Sequence, residues 1–193
     1  MRLMKEKITE AINDHKAILS NFDSKDFLAI ENIAKKIIDS LKNNGCVFWC
    51  GNGGSASQAN HLSAELTGGM YKNKKKPFNS ICLNTDLSFI TAWSNDESFD
   101  NIFSRQIQAH GKIGDTLIVL STSGNSKNII NAIKYAKAKS MNVISMTGND
   151  GGIIKTLSDI NFNVTSKVTA RIQEFHILAG HLICDLVENS LEG

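Results

Sequence analysis

The sequence predicts an α/β protein: a five-stranded parallel sheet of flavodoxin-like order 2-1-3-4-5, with helices on both faces and an N-terminal helical extension. Three observations predict this fold. Short apolar runs alternate with segments of helical periodicity from residue 46 onward, as parallel sheets with helical crossovers require. Polar, glycine-bearing segments follow two of the apolar runs. Two helical segments precede the first run.

The N-terminal segment forms two helices. Apolar residues recur at helical spacing in residues 3–22 and 27–41, with a polar break at residues 23–24 that can cap the second helix. Residues 43–45 are a typical helix end. We expect the second helix to cover the sheet. The first is an additional amphipathic helix, which can pack against another subunit or against its own chain, and His15 is interpreted as an ordinary helix residue.

The first strand of the sheet leads into a glycine-rich loop. The apolar run at residues 46–50 is followed by Gly51-Asn52-Gly53-Gly54-Ser55, and Ser55 can cap the next helix. Such a loop lets a ligand approach the backbone closely. Free amide groups and the helix dipole both favour negative charge, so we expect an anion site here.

The helix after this loop carries His61 and Glu65 four residues apart, which places both on one face. Three interpretations of the spacing stay open: two metal ligands, a base and its neighbour, or a surface pair.

The remaining elements follow in alternation. Strands are predicted at residues 80–83, 116–120, 142–146 and 159–164, and helices at 86–93, 99–110, 127–139, shortly after 152, and over 169–191. In the long closing helix, an apolar set is interpreted as core: Leu178, Leu182, Ile183, Leu186 and Val187.

The third strand leads into a second polar loop, Ser121-Thr122-Ser123-Gly124-Asn125-Ser126. In the predicted strand order, this loop and the glycine loop border one crevice at the switch point, where ligands bind in such sheets. Hydroxyls and helix-start amides suit a phosphate monoester held by neutral donors. The patterns of a P-loop ATPase and of a dinucleotide site are both incomplete.

The composition is that of a soluble globular protein. The 193 residues are 41% hydrophobic and 21% charged, with a net charge of +2, which predicts neither a nucleic-acid nor a membrane partner. We expect one domain over residues 1–193, with N-terminal helices in 1–45 and the α/β core and closing helix in 46–193. The basic cluster at residues 72–76 is interpreted as a solvated loop.

The four cysteines, Cys46, Cys50, Cys82 and Cys184, form no C-x-x-C pair, and three lie in apolar runs. This pattern favours buried free thiols in a reducing compartment. No stretch reaches the apolar length of a membrane span, so a cytoplasmic location is expected.

Several motifs together resemble the phosphoheptose isomerases, a branch of the sugar-isomerase (SIS) domain family. They are Cys50-Gly51-Asn52-Gly53-Gly54-Ser55, His61 and Glu65 with Leu66-Thr67-Gly68, Ser94-Asn95-Asp96, the loop at 121–126, Thr147-Gly148 with Gly151-Gly152, and Arg171-Ile172-Gln173-Glu174 with His176 and His181. The resemblance covers nearly the whole chain.

The resemblance implies an aldose–ketose isomerase that converts sedoheptulose 7-phosphate to D-glycero-D-manno-heptose 7-phosphate through an enediol, for the heptose of bacterial surface glycans. It further implies a cytoplasmic homotetramer with one zinc per subunit, Glu65 as general base and His181 as acid. The implied zinc ligands are His61, Glu65, Gln173 and His181. The implied substrate contacts are Asn52, Gly53, Gly54, Ser55, Glu65, Asn95, Asp96, Ser121, Thr122, Ser123, Ser126 and Gln173.

One residue departs from the family pattern, and the two roles implied for another residue conflict. Many relatives have Arg where this chain has Gly69, so a basic contact near the substrate is absent unless Lys72 replaces it. A zinc-bound nitrogen of His181 cannot also donate a proton in the same step.

Two rival functions are non-catalytic SIS-domain binding, as a replication-initiator partner or a sugar-phosphate sensor, and isomerisation of another sugar phosphate. A pure binder has no need of the set Glu65, Gln173 and His181.

The closing helix poses a geometric problem for the implied zinc site. Gln173 and His181 are about 12 Å apart along a straight helix and roughly 80° apart around it, whereas zinc bonds measure only about 2 Å. Either Gln173 lies at an irregular helix start, or the two residues reach one metal from different subunits. We favour the second alternative, with the active site at a subunit interface.

Overall fold

The structure is a computed structural model that describes residues 2–71 and 76–192. The elements, in chain order, are α1 (Arg2–Ser20), α2 (Ser24–Lys42), β1 (Val47–Gly51), α3 (Gly54–Gly68), β2 (Ser80–Cys82), α4 (Leu87–Asp96), a 3-10 turn (Phe99–Asn101), α5 (Ile102–His110), β3 (Thr116–Ser121), α6 (Lys127–Ala138), β4 (Asn142–Gly148), α7 (Gly152–Leu157), β5 (Ile160–Val164) and α8 (Thr169–Glu192).

The five strands form one sheet in the order β2-β1-β3-β4-β5, and every neighbouring pair is parallel. The predicted fold class and strand order are therefore confirmed. Gly51 at the end of β1 pairs with Leu120 of β3. The loops that follow these two strands consequently begin side by side.

Side chains alternate between the two faces of the sheet, as the strand period of two requires. Trp49 belongs to the apolar cluster that α2, α3 and α8 cover. Phe48 belongs to the opposite cluster, with residues of α5, α6 and α7. All five residues of β1 are buried, and the prediction that the second helix covers the sheet is confirmed.

Two helix boundaries illustrate how local signals set the elements. Asp23 caps α2 by accepting from the Lys25 amide at 2.7 Å, and its own amide donates to Asp26 at 3.1 Å, as the polar break predicted. The helix α4 extends to Asp96, beyond its predicted end at residue 93. It continues because the Glu97 amide still bonds the Trp93 carbonyl.

The outer face of α8 departs from the prediction. Ile183 and Val187 are buried, but a row of leucines four residues apart is exposed: Leu178 by 36%, Leu182 by 44% and Leu186 by 41%. The core assignment of these three leucines was wrong, because only one face of α8 lies on the sheet. The first helix also leaves apolar side chains uncovered: Leu3, Met4, Ile8 and Ile12.

Within the described residues, no helix is both long and apolar enough to cross a bilayer.

Candidate functional site

The glycine loop, residues 51–55, ends β1 and starts α3. Gly53 is the N-cap of α3, with φ of 56°, and no side chain caps the helix. A positive φ favours glycine. The Ser55 and Ala56 amides donate to the Asn52 and Gly53 carbonyls, both at 3.0 Å, so among the described residues the Gly54 amide is the first-turn donor that stays available to an anion. Ser55, predicted as a possible cap, is instead a buried residue of the first turn.

The serine loop, residues 121–126, connects β3 to α6. The Ser121 hydroxyl is buried and has no hydrogen-bond partner among the described residues. Ser126 is the N-cap of α6 but makes no side-chain capping bond, and Ser123 is exposed. The Lys127 ammonium lies 3.9 Å from Asp100. The loop therefore offers neutral hydroxyls and amides, as phosphate binding by neutral donors requires.

Side-chain amides hold the two loops together. Asn52 and Asn128 exchange two hydrogen bonds of 2.9 and 2.8 Å, and Asn128 is 2% exposed. On the other side, Asn84 accepts from the Gly51 amide at 3.2 Å and donates to the Gly51 carbonyl at 2.9 Å. The crevice predicted from the strand order is thus bordered by both loops. The roles of Asn84 and Asn128 were not predicted from the sequence.

His61, Glu65 and His181 come together between α3 and α8. The Nε2 atoms of the two histidines lie 2.9 Å apart, and Glu65 Oε1 lies 3.1 Å from His61 Nε2. One potential ligand atom from each of the three residues falls within a 4.8 Å cluster. Two imidazoles and a carboxylate match the donors of catalytic zinc sites, so the donor set fits a metal ion.

The cluster is accessible from solvent. The side chains of His61 and Glu65 are 50% and 23% exposed. Three interpretations of the spacing between His61 and Glu65 were open: metal ligands, a base and its neighbour, or a surface pair. The structure makes the surface pair less favoured, because His181 from a distant part of the chain joins the two residues. A surface pair alone does not explain the third residue.

Gln173 is on α8, eight residues before His181, and its side chain lies near the start of α3. A Cβ placed on Gly54 would come within 2.6 Å of Gln173 Nε2, so this side chain lies against the first residue of α3. His61 and Glu65 follow about two and three turns further along that helix. Gln173 also lies inside the continuous helix α8, which begins at Thr169. The alternative of an irregular helix start is therefore not supported.

Asn95 and Asp96 lie at the C-terminal end of α4. Both are exposed, and Asn95 donates to Asp96 at 2.7 Å. Their predicted contact with substrate stays a prediction, as do those of Thr122 and Ser123.

Gly69 occupies a position where an L side chain is strained. It caps α3 with φ of 83°, and its amide donates to the Glu65 carbonyl. This backbone conformation therefore suits the glycine found at this position. Lys72, the suggested substitute, lies outside the described residues.

Burial shifts the pKa values of the cysteine thiols and of one histidine. The four cysteines are buried and free, as predicted, and burial raises the pKa of Cys46 to about 12. Burial lowers the pKa of His176 to about 4, although its hydrogen bond to Thr147 acts in the opposite direction. His176 Nε2 donates to the Thr147 carbonyl at 3.0 Å. This histidine is neutral at pH 7 and anchors α8 to the end of β4.

Comparison with known proteins gives consistent results. The family model of the SIS domain matches residues 12–148. The phosphoheptose isomerase of Rhodospirillum rubrum is 47% identical over 163 residues, which cover 84% of this chain and 86% of that protein. The structure of the Neisseria gonorrhoeae phosphoheptose isomerase superposes with a TM-score of 0.90 at 38% identity, covering 96% of this chain and 99% of that one. A Francisella tularensis phosphoheptose isomerase gives 0.88 at 34% identity, covering 98% and 99%.

Proposed function

Because this chain belongs to the phosphoheptose isomerase family of SIS-domain proteins, we propose that it converts sedoheptulose 7-phosphate to D-glycero-D-manno-heptose 7-phosphate through an enediol. The family resemblance that the motifs predicted is confirmed. The observation that carries the proposal is the placement of His61, Glu65 and His181 on the two helices that border the glycine loop. A pure binding protein does not need this donor set.

The two loops supply the phosphate site. The Gly54 amide at the start of α3 and the Ser121 hydroxyl, which has no partner among the described residues, are neutral donors. A bound phosphate group would fix the register of the sugar. The amide pair of Asn52 and Asn128 keeps these donors in place without taking part in the reaction.

Proton transfer is assigned to Glu65, the only carboxylate on α3. Its carboxylate takes the proton from C1 of the ketose and returns it to C2 of the enediol, while the C2 carbonyl oxygen gains a proton and the C1 hydroxyl loses one. His61, Glu65 and His181 would hold a zinc ion, with Gln173 as the fourth ligand by family resemblance. The bound metal would supply Lewis-acid polarisation of the sugar oxygens.

Assembly is part of the proposal. Within one chain, the Gln173 amide lies against Gly54, about two turns of α3 before His61, and this separation supports a site completed by another protomer. The exposed leucine row of α8 and the exposed apolar residues of α1 support an oligomer, since large apolar patches commonly mark protein interfaces. The family resemblance implies that this oligomer is a cytoplasmic homotetramer. The buried thiols are compatible with that compartment.

Incubation with sedoheptulose 7-phosphate in deuterated water tests the activity. An enediol route gives the aldose product with solvent deuterium at C2, which proton NMR detects. Shorter ketose phosphates, tested in parallel, define the substrate class. Tight binding of the heptose phosphate without turnover would instead identify a sensor.

A further inference from the structure

The first helix is tied to α8 by three polar side chains. His15 Nδ1 lies 2.8 Å from Glu174 Oε2, and Arg171 Nη2 donates to Glu174 Oε1. Arg171 Nη1 also donates to the Ala11 carbonyl at 2.8 Å. The His15 ring lies 4.6 Å from the Phe175 ring, centre to centre. We name His15, Arg171 and Glu174 the α1–α8 clamp; its histidine is not the ordinary helix residue that the sequence suggested.

The clamp differs from an exposed ion pair. The Arg171 side chain is only 13% exposed, and its Nε atom is buried without a partner among the described residues. A largely buried guanidinium depends on its carboxylate, because an uncompensated buried charge is strongly destabilising. Loss of the contact between Arg171 and Glu174 would therefore leave the guanidinium without its carboxylate partner.

Gln173 lies directly beside the clamp, and α3 holds it from the other side. Gln58 Nε2 donates to the Gln173 carbonyl at 2.6 Å, and the Gln173 amide lies against Gly54 of the glycine loop. The first turns of α8 are thus fixed on two sides. Any rotation of α8 about its axis that separates Glu174 from His15 also moves the Gln173 amide.

We propose that His15 and Arg171 are positioning residues that act through Glu174 to orient Gln173 beside the glycine loop. The inference rests on the proposed function, and it concerns the predicted contact of Gln173 with the sugar phosphate, which is distinct from its implied role as a zinc ligand. On this basis α1 belongs to the substrate-binding machinery as well as to any subunit contact.

Two substitutions of His15 separate its hydrogen bond from its ring packing. His15→Phe keeps a ring on Phe175 and removes the hydrogen bond. His15→Gln keeps a nitrogen donor and removes the ring. We expect His15→Phe to raise KM for sedoheptulose 7-phosphate about tenfold, as loss of a supporting hydrogen bond commonly does, with kcat changed less than about twofold. His15→Gln should stay within about twofold of wild type in both constants.

The control is Lys7→Ala, which removes an exposed ion pair with Glu10 on the same helix and should change neither constant. A KM for His15→Phe equal to that of wild type, or equal impairment of both His15 variants, would overturn the proposal. Calorimetric titration with the sugar phosphate gives the same comparison as Kd. It also separates the two hypotheses, because a wild type that binds without turnover refutes the isomerase function alone.

Discussion

The loops after β1 and β3 and the seam between α3 and α8 differ in how completely one chain builds them. The loops are braced by side chains of the same chain, through Asn84, Asn52 and Asn128. The seam presents His61, Glu65 and His181 to solvent, while Gln173 lies at the far end of α3. The proposed phosphate site is thus preorganised within the protomer, whereas the proposed proton-transfer site would need further groups.

Replacing Glu65, the proposed base in the seam, should produce the largest loss of activity. Glu65→Gln keeps the shape of the side chain but removes the group that accepts the proton. We expect kcat to fall by about 10²–10⁴, the usual contribution of a positioned base, while the circular dichroism spectrum and melting temperature stay near those of wild type.

The matched control for this variant is Glu31→Gln, which changes another helical carboxylate, paired with Lys35 four residues on. It should leave kcat unchanged. A loss of less than about tenfold in Glu65→Gln would refute the assignment of the base.

A buried histidine anchors α8 of the seam to the end of β4, and its effect should appear in the stability of the protein. His176 keeps a pKa of about 4 in the folded protein because burial disfavours its charged form. Between pH 6.5 and pH 4, the unfolded chain binds a proton that the folded chain does not, so stability falls as the pH falls. From pH 7 to pH 5 this group should lower the free energy of unfolding by about 2 kcal/mol.

Urea unfolding of wild type and of His176→Gln, at one protein concentration and at both pH values, measures this contribution. The loss of stability between the two pH values should be about 2 kcal/mol smaller in the variant. His110→Gln, at an exposed histidine that ends α5, is the control. Equal pH dependence in wild type and His176→Gln would show that His176 is not held neutral.

Substitutions in the serine loop should weaken substrate binding without slowing the chemical step. Ser123→Ala or Ser126→Ala removes a hydroxyl that is proposed to hold the phosphate. We expect KM to rise about tenfold, as loss of one hydrogen bond to a charged group predicts, with kcat almost unchanged. Ser190→Ala, on the exposed end of α8, is the control. Unchanged KM in both loop variants would place the phosphate elsewhere.

The contrast between the regions also explains what the sequence could predict. The order of the strands and the pairing of the two loops follow from hydrophobic period and polar loop chemistry, which are local signals. The role of Asn128 was not predicted, because its partner Asn52 is 76 residues away. His15 and Glu174 are 159 residues apart, and only the packing of α1 on α8 brings them together.

For the leucines on the outer face of α8, the sequence predicted burial that the structure does not have. Periodicity marks Leu178, Leu182 and Leu186 as apolar positions, but it does not say whether the same chain covers them. Periodicity likewise placed His61 and Glu65 on one face without identifying His181 as their neighbour. Helical geometry alone gave one useful constraint on the seam. It predicted that Gln173 and His181 are too far apart on a straight helix to bind one metal ion, and the structure places both on the continuous helix α8.

Mixed oligomers test whether another protomer completes the seam. Glu65 and His181 belong to one chain's cluster, so inactive Glu65→Gln and His181→Ala protomers should not restore each other. Gln173→Ala leaves that cluster intact, and His181→Ala leaves Gln173 intact. After dissociation and reassembly of an equal mixture, a site with the cluster of one protomer and Gln173 of the other forms with a probability of about one quarter. Activity should recover to about that fraction of wild type. If verified Gln173→Ala/His181→Ala oligomers stay inactive, each protomer supplies its own Gln173, and the seam is completed within the chain after a movement of α8.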